Sequence, residues 1–358
     1  MIDFTSSLYL GMQHSSAELA PGFQLSSGKP AALFEPGESK ALASQIARMQ
    51  GLESGYAAPS TLHLFSDLYN FLSKKAVTVY IDKNIYPVSK YGIEKLYLNK
   101  IPTYLFRHLD ATHLQELLAT RKVQQRVPVI ITDGWCPECG RAAPLNIYSE
   151  ILKPYAGRII VDDTQALGIF GTRTGKELYG KGGGGTLQWL NVKDPGVVSI
   201  MSLAKAFGVP IAAICAGNKF IESFRDSSQT IAYSSPPSLV HLRAGLHSLK
   251  VNKETGDNIR RKLFNNISLL RSHFRNTSLK LNGGIFPVQS LSFRNPDKAT
   301  AIFDNLYKQG IQAVLTTNHD HTNRSVTFVI RSDHSPGDIE ALANCIKKLV
   351  MNPIIKED

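Results

Sequence analysis

Cysteine is scarce in this chain of 358 residues, which contains only Cys136, Cys139, Cys215 and Cys345. Four in a chain this long exclude a disulfide framework. Cys136 and Cys139 have the C-x-x-C spacing of half a zinc site or a redox pair. A second such pair and a histidine cluster of ligand spacing are both lacking, so a structural turn and no metal are expected. Long apolar runs are absent too; none nears the ~20 residues of a membrane span, and no membrane role is expected. The N-terminus, MIDFTSSLYLG, lacks the basic and apolar regions of a secretory signal, which leads to a cytoplasmic location. Acidic residues are the minority, 29 against 40 basic ones, for a net charge of +11. That balance suits anionic partners. The basic residues are nevertheless dispersed, except from Lys250 to Lys280, where Arg260, Arg261 and Lys262 read as the solvated face of a helix. With no nucleic-acid motif, a phosphate-rich small substrate fits better than DNA or RNA.

What is present is a regular alternation. AVTVYID (76–82), VPVIITD (127–133), RIIVDD (158–163), VVSIMS (197–202) and PIAAICAG (210–217) are continuous β-rich runs, as in a sheet covered on both faces. Helical patterns at 110–122 and 144–156 lie between them. The alternation predicts an α/β fold with a mainly parallel sheet and right-handed crossovers. From about residue 240 the pattern changes: a long helix over 238–275, a helix near 297–309, a strand at 326–331 and a terminal helix at 336–350 predict a smaller α+β domain. The expected division is an N-terminal segment, 1–45, packing with the small domain; a large domain, 46–240; and a small C-terminal domain, 241–358. The glycine-rich GKGGGGT at 180–186 lacks the Walker spacing and is read as a flexible loop.

Ligands of α/β sheets bind at the carboxyl ends of strands. Asp162 and Gln165 follow RIIV there, Ser202 and Lys205 follow VVSIM, and a third segment, TDGWCPECGRAAPL, runs on from VPVII. Taken alone, a strand-end Lys is a surface residue and a strand-end Asp a helix cap. Together they meet one chemical requirement. A pyridine cofactor withdraws electrons only while its ring nitrogen stays protonated, and a buried carboxylate beside that nitrogen keeps it so. A lysine on a neighbouring strand end can bind the cofactor's aldehyde as a Schiff base. Ser60 and Thr61 precede a helical pattern with Leu62, Phe65, Leu68 and Leu72 on one face, so Ser60 is a candidate N-cap and the free amides behind it a phosphate site.

These segments resemble the fold-type I enzymes that use pyridoxal 5'-phosphate (PLP), and among them the α-oxoamine synthases, of which 8-amino-7-oxononanoate synthase is an example. The resemblance is carried by DFTSSLYLG (3–11), FRHLD (106–110), the Asp-Gly to Ala-Pro-Leu segment (133–145), DDTQALG (162–168), SLAKAFG (202–208) and YSSPP (233–237). It implies that Lys205 carries the cofactor and Asp162 pairs with its ring nitrogen. Gln165 falls where the family has a histidine touching the 3′-oxygen, and Tyr86 where it has the ring-stacking histidine. The resemblance also implies cofactor contacts from Ser202 and from the backbone of Ser60, Thr61 and Leu62. Ser234 and Ser235 would reach the phosphate of a partner subunit in a homodimer, and Ser7 would contact substrate. Arg331, at the end of the strand VTFVIR, is read either as a contact for a substrate carboxylate or as a plain surface or ion-pair arginine. The chain departs from the family pattern at Pro137 and Ser7, in the missing leading helix, and in having no arginine at 314–318.

The implied activity is condensation of an amino acid with an acyl thioester, on coenzyme A or a carrier protein, with loss of carbon dioxide. An aminotransferase is the alternative built from the same parts, because Asp162 with Gln165 suits either. A non-catalytic descendant is the reading of another class, and retention of Lys205, Asp162 and the helix start argues against it.

Overall fold

Alternate residues of the predicted strands go to opposite faces of one sheet. Val79, Ile81, Val129, Ile131, Ile160, Val198 and Ile200 pack on one side with Leu64, Phe65, Leu68 and Leu72 of a helix. Tyr80, Ile130, Ile159, Val161 and Val197 pack on the other with Leu114, Leu118, Leu145 and Tyr148. Two apolar faces explain why these runs are continuous in Val and Ile rather than alternating with polar residues. The computed structural model describes residues 1–14, 25–120, 126–175, 177–277, 279–317 and 323–351. The chain divides into two compact units, Gln13–Cys136 with Ala142–Gly256, and Met1–Met12 with Pro137–Arg141 and Asp257–Asp358.

The larger unit holds a seven-stranded sheet: β1 (Ser54–Ala58), β2 (Val77–Asp82), β3 (Thr103–Phe106), β4 (Val127–Asp133), β5 (Arg158–Asp162), β6 (Val197–Ser202) and β7 (Ala212–Ala216). Its order is β1-β7-β6-β5-β4-β2-β3. Every adjacent pair from β6 through β3 is parallel. β7 alone runs antiparallel to both neighbours. Residues 203–211 are too few for a parallel crossover, which takes about a dozen, so β6 returns through a hairpin, and Lys205 sits in that turn. Strands β1 and β3 were not read from the sequence. The helices on the sheet include α1 (Gly37–Gln50), α2 (Thr61–Leu72), α3 (Ala111–Thr120), α4 (Leu145–Leu152) and α5 (Asn218–Ser227). The end of the helix expected at 110–122 reaches residues 121 and 122, outside those described.

The glycine-rich stretch at 180–186 is not a flexible loop. Lys181 and Gly184 form bridges to Thr172 and Leu167, and Gly185 opens a short helix, Gly185–Leu190. The glycines answer to close approach. Gly185 has φ +83°, and a Cβ there would lie 1.9 Å from Asp163 Oδ2. Asp163 is fully buried and accepts hydrogen bonds from the Thr186 amide at 3.0 and 3.1 Å and from Gln50 Nε2 at 3.1 Å.

The smaller unit contains an antiparallel sheet ordered Val288–Phe293, Arg324–Val329, Val314–Thr317. Ile2–Asp3 pairs in parallel with Ile311–Gln312. Helices Pro296–Lys308 and Pro336–Met351 supply Ile302, Leu306, Ile339, Leu342 and Ile346 to its buried residues. The long helix of the basic stretch is Leu239–Ser272. Of the three cations expected on its solvated face, Arg261 and Lys262 are exposed, but Arg260 is 2% exposed and pairs with Asp257. The four cysteines are free thiols. Among the described residues no helix is long and apolar enough to cross a membrane.

Candidate active site

Register places the carboxyl ends of five strands along one edge of the large sheet. Ala212 of β7 faces both Ser202 at the end of β6 and Ala58 at the end of β1. Asp162 at the end of β5 pairs with Asp133 at the end of β4, and Asp82 ends the adjoining β2. The turn carrying Lys205, the Asp162 carboxylate and the start of α2 therefore share this edge.

Asp162 is buried and fixed at both oxygens. Its Oδ2 accepts from Ser89 Oγ at 2.9 Å and its Oδ1 from the Thr164 amide at 3.0 Å. Burial pushes its pKa above the usual carboxylate value, opposed by these bonds and by the charge of Lys205. Lys205 is affected in the opposite sense: burial lowers its amine below the usual lysine value, and Asp162 partly restores it. Its Nζ stands 5.7 Å from the centroid of the Tyr86 ring. The hydroxyl of Ser202 accepts from the Ala204 amide at 3.1 Å, and the Ser202 amide donates to Thr164 Oγ1 at 3.0 Å. Ser202 and Thr164 thus tie the lysine turn to the turn that follows Asp162. Gln165 lies in that second turn, 6% exposed.

At the same edge, Ser60 caps α2. Its Oγ accepts from the His63 amide at 3.5 Å and lies 2.8 Å from His63 Nδ1. The amides of Thr61 and Leu62 donate to no described protein group, as expected for the first turn of a helix.

The profile of the family "Aminotransferase class I and II" matches residues 2–346. This chain belongs to that family. An 8-amino-7-oxononanoate synthase from Petrotoga mobilis is 25% identical over 261 residues, 72% of this chain and 64% of that protein; the match spans less than two thirds of the relative's length. A solved 8-amino-7-oxononanoate synthase from Francisella tularensis is similar in fold, with a TM-score of 0.75 at 21% identity, covering 98% of both chains. So is a serine palmitoyltransferase variant from S. paucimobilis solved with PLP–myriocin bound. Its TM-score is 0.85 at 13% identity, covering 98% of this chain and 87% of the other. The fold is thus that of the fold-type I enzymes, with the mainly parallel sheet expected of this class I and II member.

Three residues of this edge were not singled out from the sequence. Ser89 is fully buried in a short 3-10 turn, Pro87–Lys90, and its carbonyl accepts from the Tyr69 hydroxyl at 2.5 Å. Asp133 accepts from the Tyr86 amide at 3.0 Å through Oδ2, while its other oxygen has no partner among the described residues. Burial first, and then the neighbouring Asp162 charge, raise its pKa well above the usual carboxylate value. Asp163 is raised to about 7, mainly by burial. Asp133 and Asp163 had a signal, their places at the ends of strand-like runs; Ser89 had none. His108 was also passed over; its Nδ1 meets Asp82 Oδ1 at 2.8 Å, and a ring nitrogen lies within 4.8 Å of Cys136 Sγ.

The other expected contact residues have partners within their own units. Ser234 bonds to Thr230 O at 2.7 Å and to Ser235 O at 3.3 Å, within its own turn. In the smaller unit, Arg331 pairs with Asp3 at 3.0 Å and Asp333 at 2.9 Å, and the Ser7 carbonyl accepts from the Tyr9 amide at 2.8 Å.

Proposed function

We infer that this chain is a PLP-dependent transferase that condenses an amino acid with an acyl thioester, with decarboxylation, in the manner of the α-oxoamine synthases. The observation that carries the reading is buried Asp162 at the same sheet edge as Lys205, whose amine burial holds below the usual lysine value and whose Nζ stands 5.7 Å from the centre of the Tyr86 ring. The residues fit the cofactor on three counts. A fully buried carboxylate penalised by burial favours a cation such as a protonated pyridine nitrogen. An amine that burial holds below the usual lysine value gives up its proton more readily than an ordinary lysine, and the neutral amine is the form that adds to an aldehyde. The free amides of Thr61 and Leu62 offer a phosphate two donors at a helix start.

When bound, PLP supplies the electron sink for a bond broken at the substrate α-carbon. Asp162, held by Ser89 and Thr164, would keep the proton on the ring nitrogen. Tyr86 would stack on the ring, and Gln165 and Ser202 would hold its polar substituents. Lys205 would bind the aldehyde carbon and, once an amino substrate displaced it, take the proton from that substrate's Cα. Arg331 would exchange one of its two carboxylate partners for a substrate carboxylate, with Ser7 as a second contact. The same reading includes a cytoplasmic homodimer in which Ser234 and Ser235 face the partner's phosphate.

Aminotransfer is the second reading, favoured by Gln165, which suits either reaction. Purified protein given PLP should show a visible absorption band that survives dialysis and is absent in Lys205→Ala. Amino-acid-dependent release of free thiol from an acyl thioester supports condensation; turnover that needs only a keto acid overturns it in favour of aminotransfer. Absence of the band even with added PLP overturns both.

A further inference from the structure

The opposite edge of the same sheet holds a cavity that the reaction does not use. It measures about 380 Å³ and lies at Val77, Val127 and Arg158, the first residues of β2, β4 and β5, beside the last turn of α2. Strands of six residues place it roughly 20 Å from their carboxyl ends. Its volume falls at the small end of ligand pockets, which run from about 300 to 1,000 Å³. The floor is apolar, built on Phe71, Val129 and Phe220, all buried.

The rim is cationic. Lys75, Arg158 and Lys219 line the cavity from three separate segments, and no carboxylate lines it. None of the three forms an ion pair with a described residue. Lys75 Nζ stands 4.8 Å from the centre of the Phe71 ring, and the Arg158 guanidinium 5.4 Å from that of Phe220. Cation–π contact accounts for the placing of each stem. It does not account for three like charges round one mouth, which repel one another unless an anion joins them.

We propose that this cavity binds a medium-chain fatty carboxylate, with the alkyl chain on the aromatic floor and the carboxylate among Lys75, Arg158 and Lys219. Charge complementarity selects the head group and the apolar floor selects the tail. The site is independent of the cofactor reading, because no residue of the Asp162 edge takes part.

The test is calorimetric titration of the PLP-treated protein with hexanoate, octanoate and decanoate below their micellar concentrations. Affinity should rise about fourfold per added methylene until the cavity is filled. 1-Decanol should bind at least tenfold more weakly than decanoate. Ser223→Glu, which puts a negative charge in the lining, and the pair Lys75→Glu with Lys219→Glu should each weaken decanoate at least tenfold. Lys74→Glu, an exposed neighbour outside the lining, should leave it unchanged. Equal binding of decanol and decanoate, or equal binding by all variants, overturns the proposal. So does a change in sedimentation on Ser223→Glu without a change in decanoate affinity, which would assign the patch to contact between copies of the chain.

Discussion

The two edges of the large sheet differ in how they treat charge. At the carboxyl edge, Asp82, Asp133, Asp162 and Asp163 are all buried, and each accepts at least one hydrogen bond from a turn or a helix start. At the amino edge, Lys75 and Lys219 are exposed and Arg158 is half-buried, over an apolar floor and without anionic partners among the described residues. Burying a carboxylate is costly unless donors meet it, so the first edge is made of turns whose amides and hydroxyls converge. Long cationic side chains need no such shell, because their stems cover apolar surface while the charges stay in water. Folding stability at the first edge is therefore expected to be sensitive to every neighbour, whereas at the second edge charge changes are expected to act on anion binding and little on stability.

The sharpest way to break the contrast is to remove Lys205. Lys205→Ala should lose the visible band and at least about 10³-fold in turnover, measured in the thiol-release assay. Ser89→Ala comes next. It takes one hydroxyl from a buried carboxylate, a loss of about 1.5–3 kcal/mol, and should weaken PLP retention or activity by roughly 10- to 100-fold. Unchanged PLP affinity and rate would show that Ser89 does not set the state of Asp162.

Backbone changes follow. Gly185→Ala places a methyl group against Asp163 and should lower stability by about 3 kcal/mol or more in urea unfolding, whereas Gly182→Ala, with φ +82° and nothing within 4 Å, should cost about 1 kcal/mol.

The next effect is one of pH. Asp163 is raised by burial from the ordinary carboxylate value to about 7 in the folded chain. The folded state then holds a proton that the unfolded state has released, so this group's contribution to stability falls as pH rises from about 4 to about 7 and is constant above that. Within the window the folding equilibrium should weaken by up to about tenfold per pH unit. Asp163→Asn should flatten that part of the stability profile; an identical slope in the variant would show that another group titrates. At the amino edge, Lys219→Glu should change stability by less than about 0.5 kcal/mol.

Legibility followed chemistry. The central strands were readable because both faces are apolar, as VPVIITD and VVSIMS show. β1 was not: apart from Tyr56, SGYAA consists of small residues, and it has no branched run. β3, TYLF, is short and half-exposed at the sheet edge. The direction of β7 could not be read from PIAAICAG, since a buried antiparallel strand carries the same residues as a buried parallel one. Lys205 and Asp162 were legible as strand-end residues in recognisable segments. Ser89 was not, because it lies 73 residues before Asp162 in the chain and no spacing links them. The glycines at 180–186 were visible, but the carboxylate of Asp163 that needs their missing side chains was not.

By itself, then, the sequence determined the alternation of strands and helices, the two-faced core and the strand-end lysine and aspartate, because hydrophobic period and local turn chemistry are written residue by residue. Only the tertiary structure decided which carboxylates share an edge, which hydroxyl holds Asp162, and that three distant cations surround one apolar floor. Those depend on strand order and register, which bring together residues that no local pattern connects.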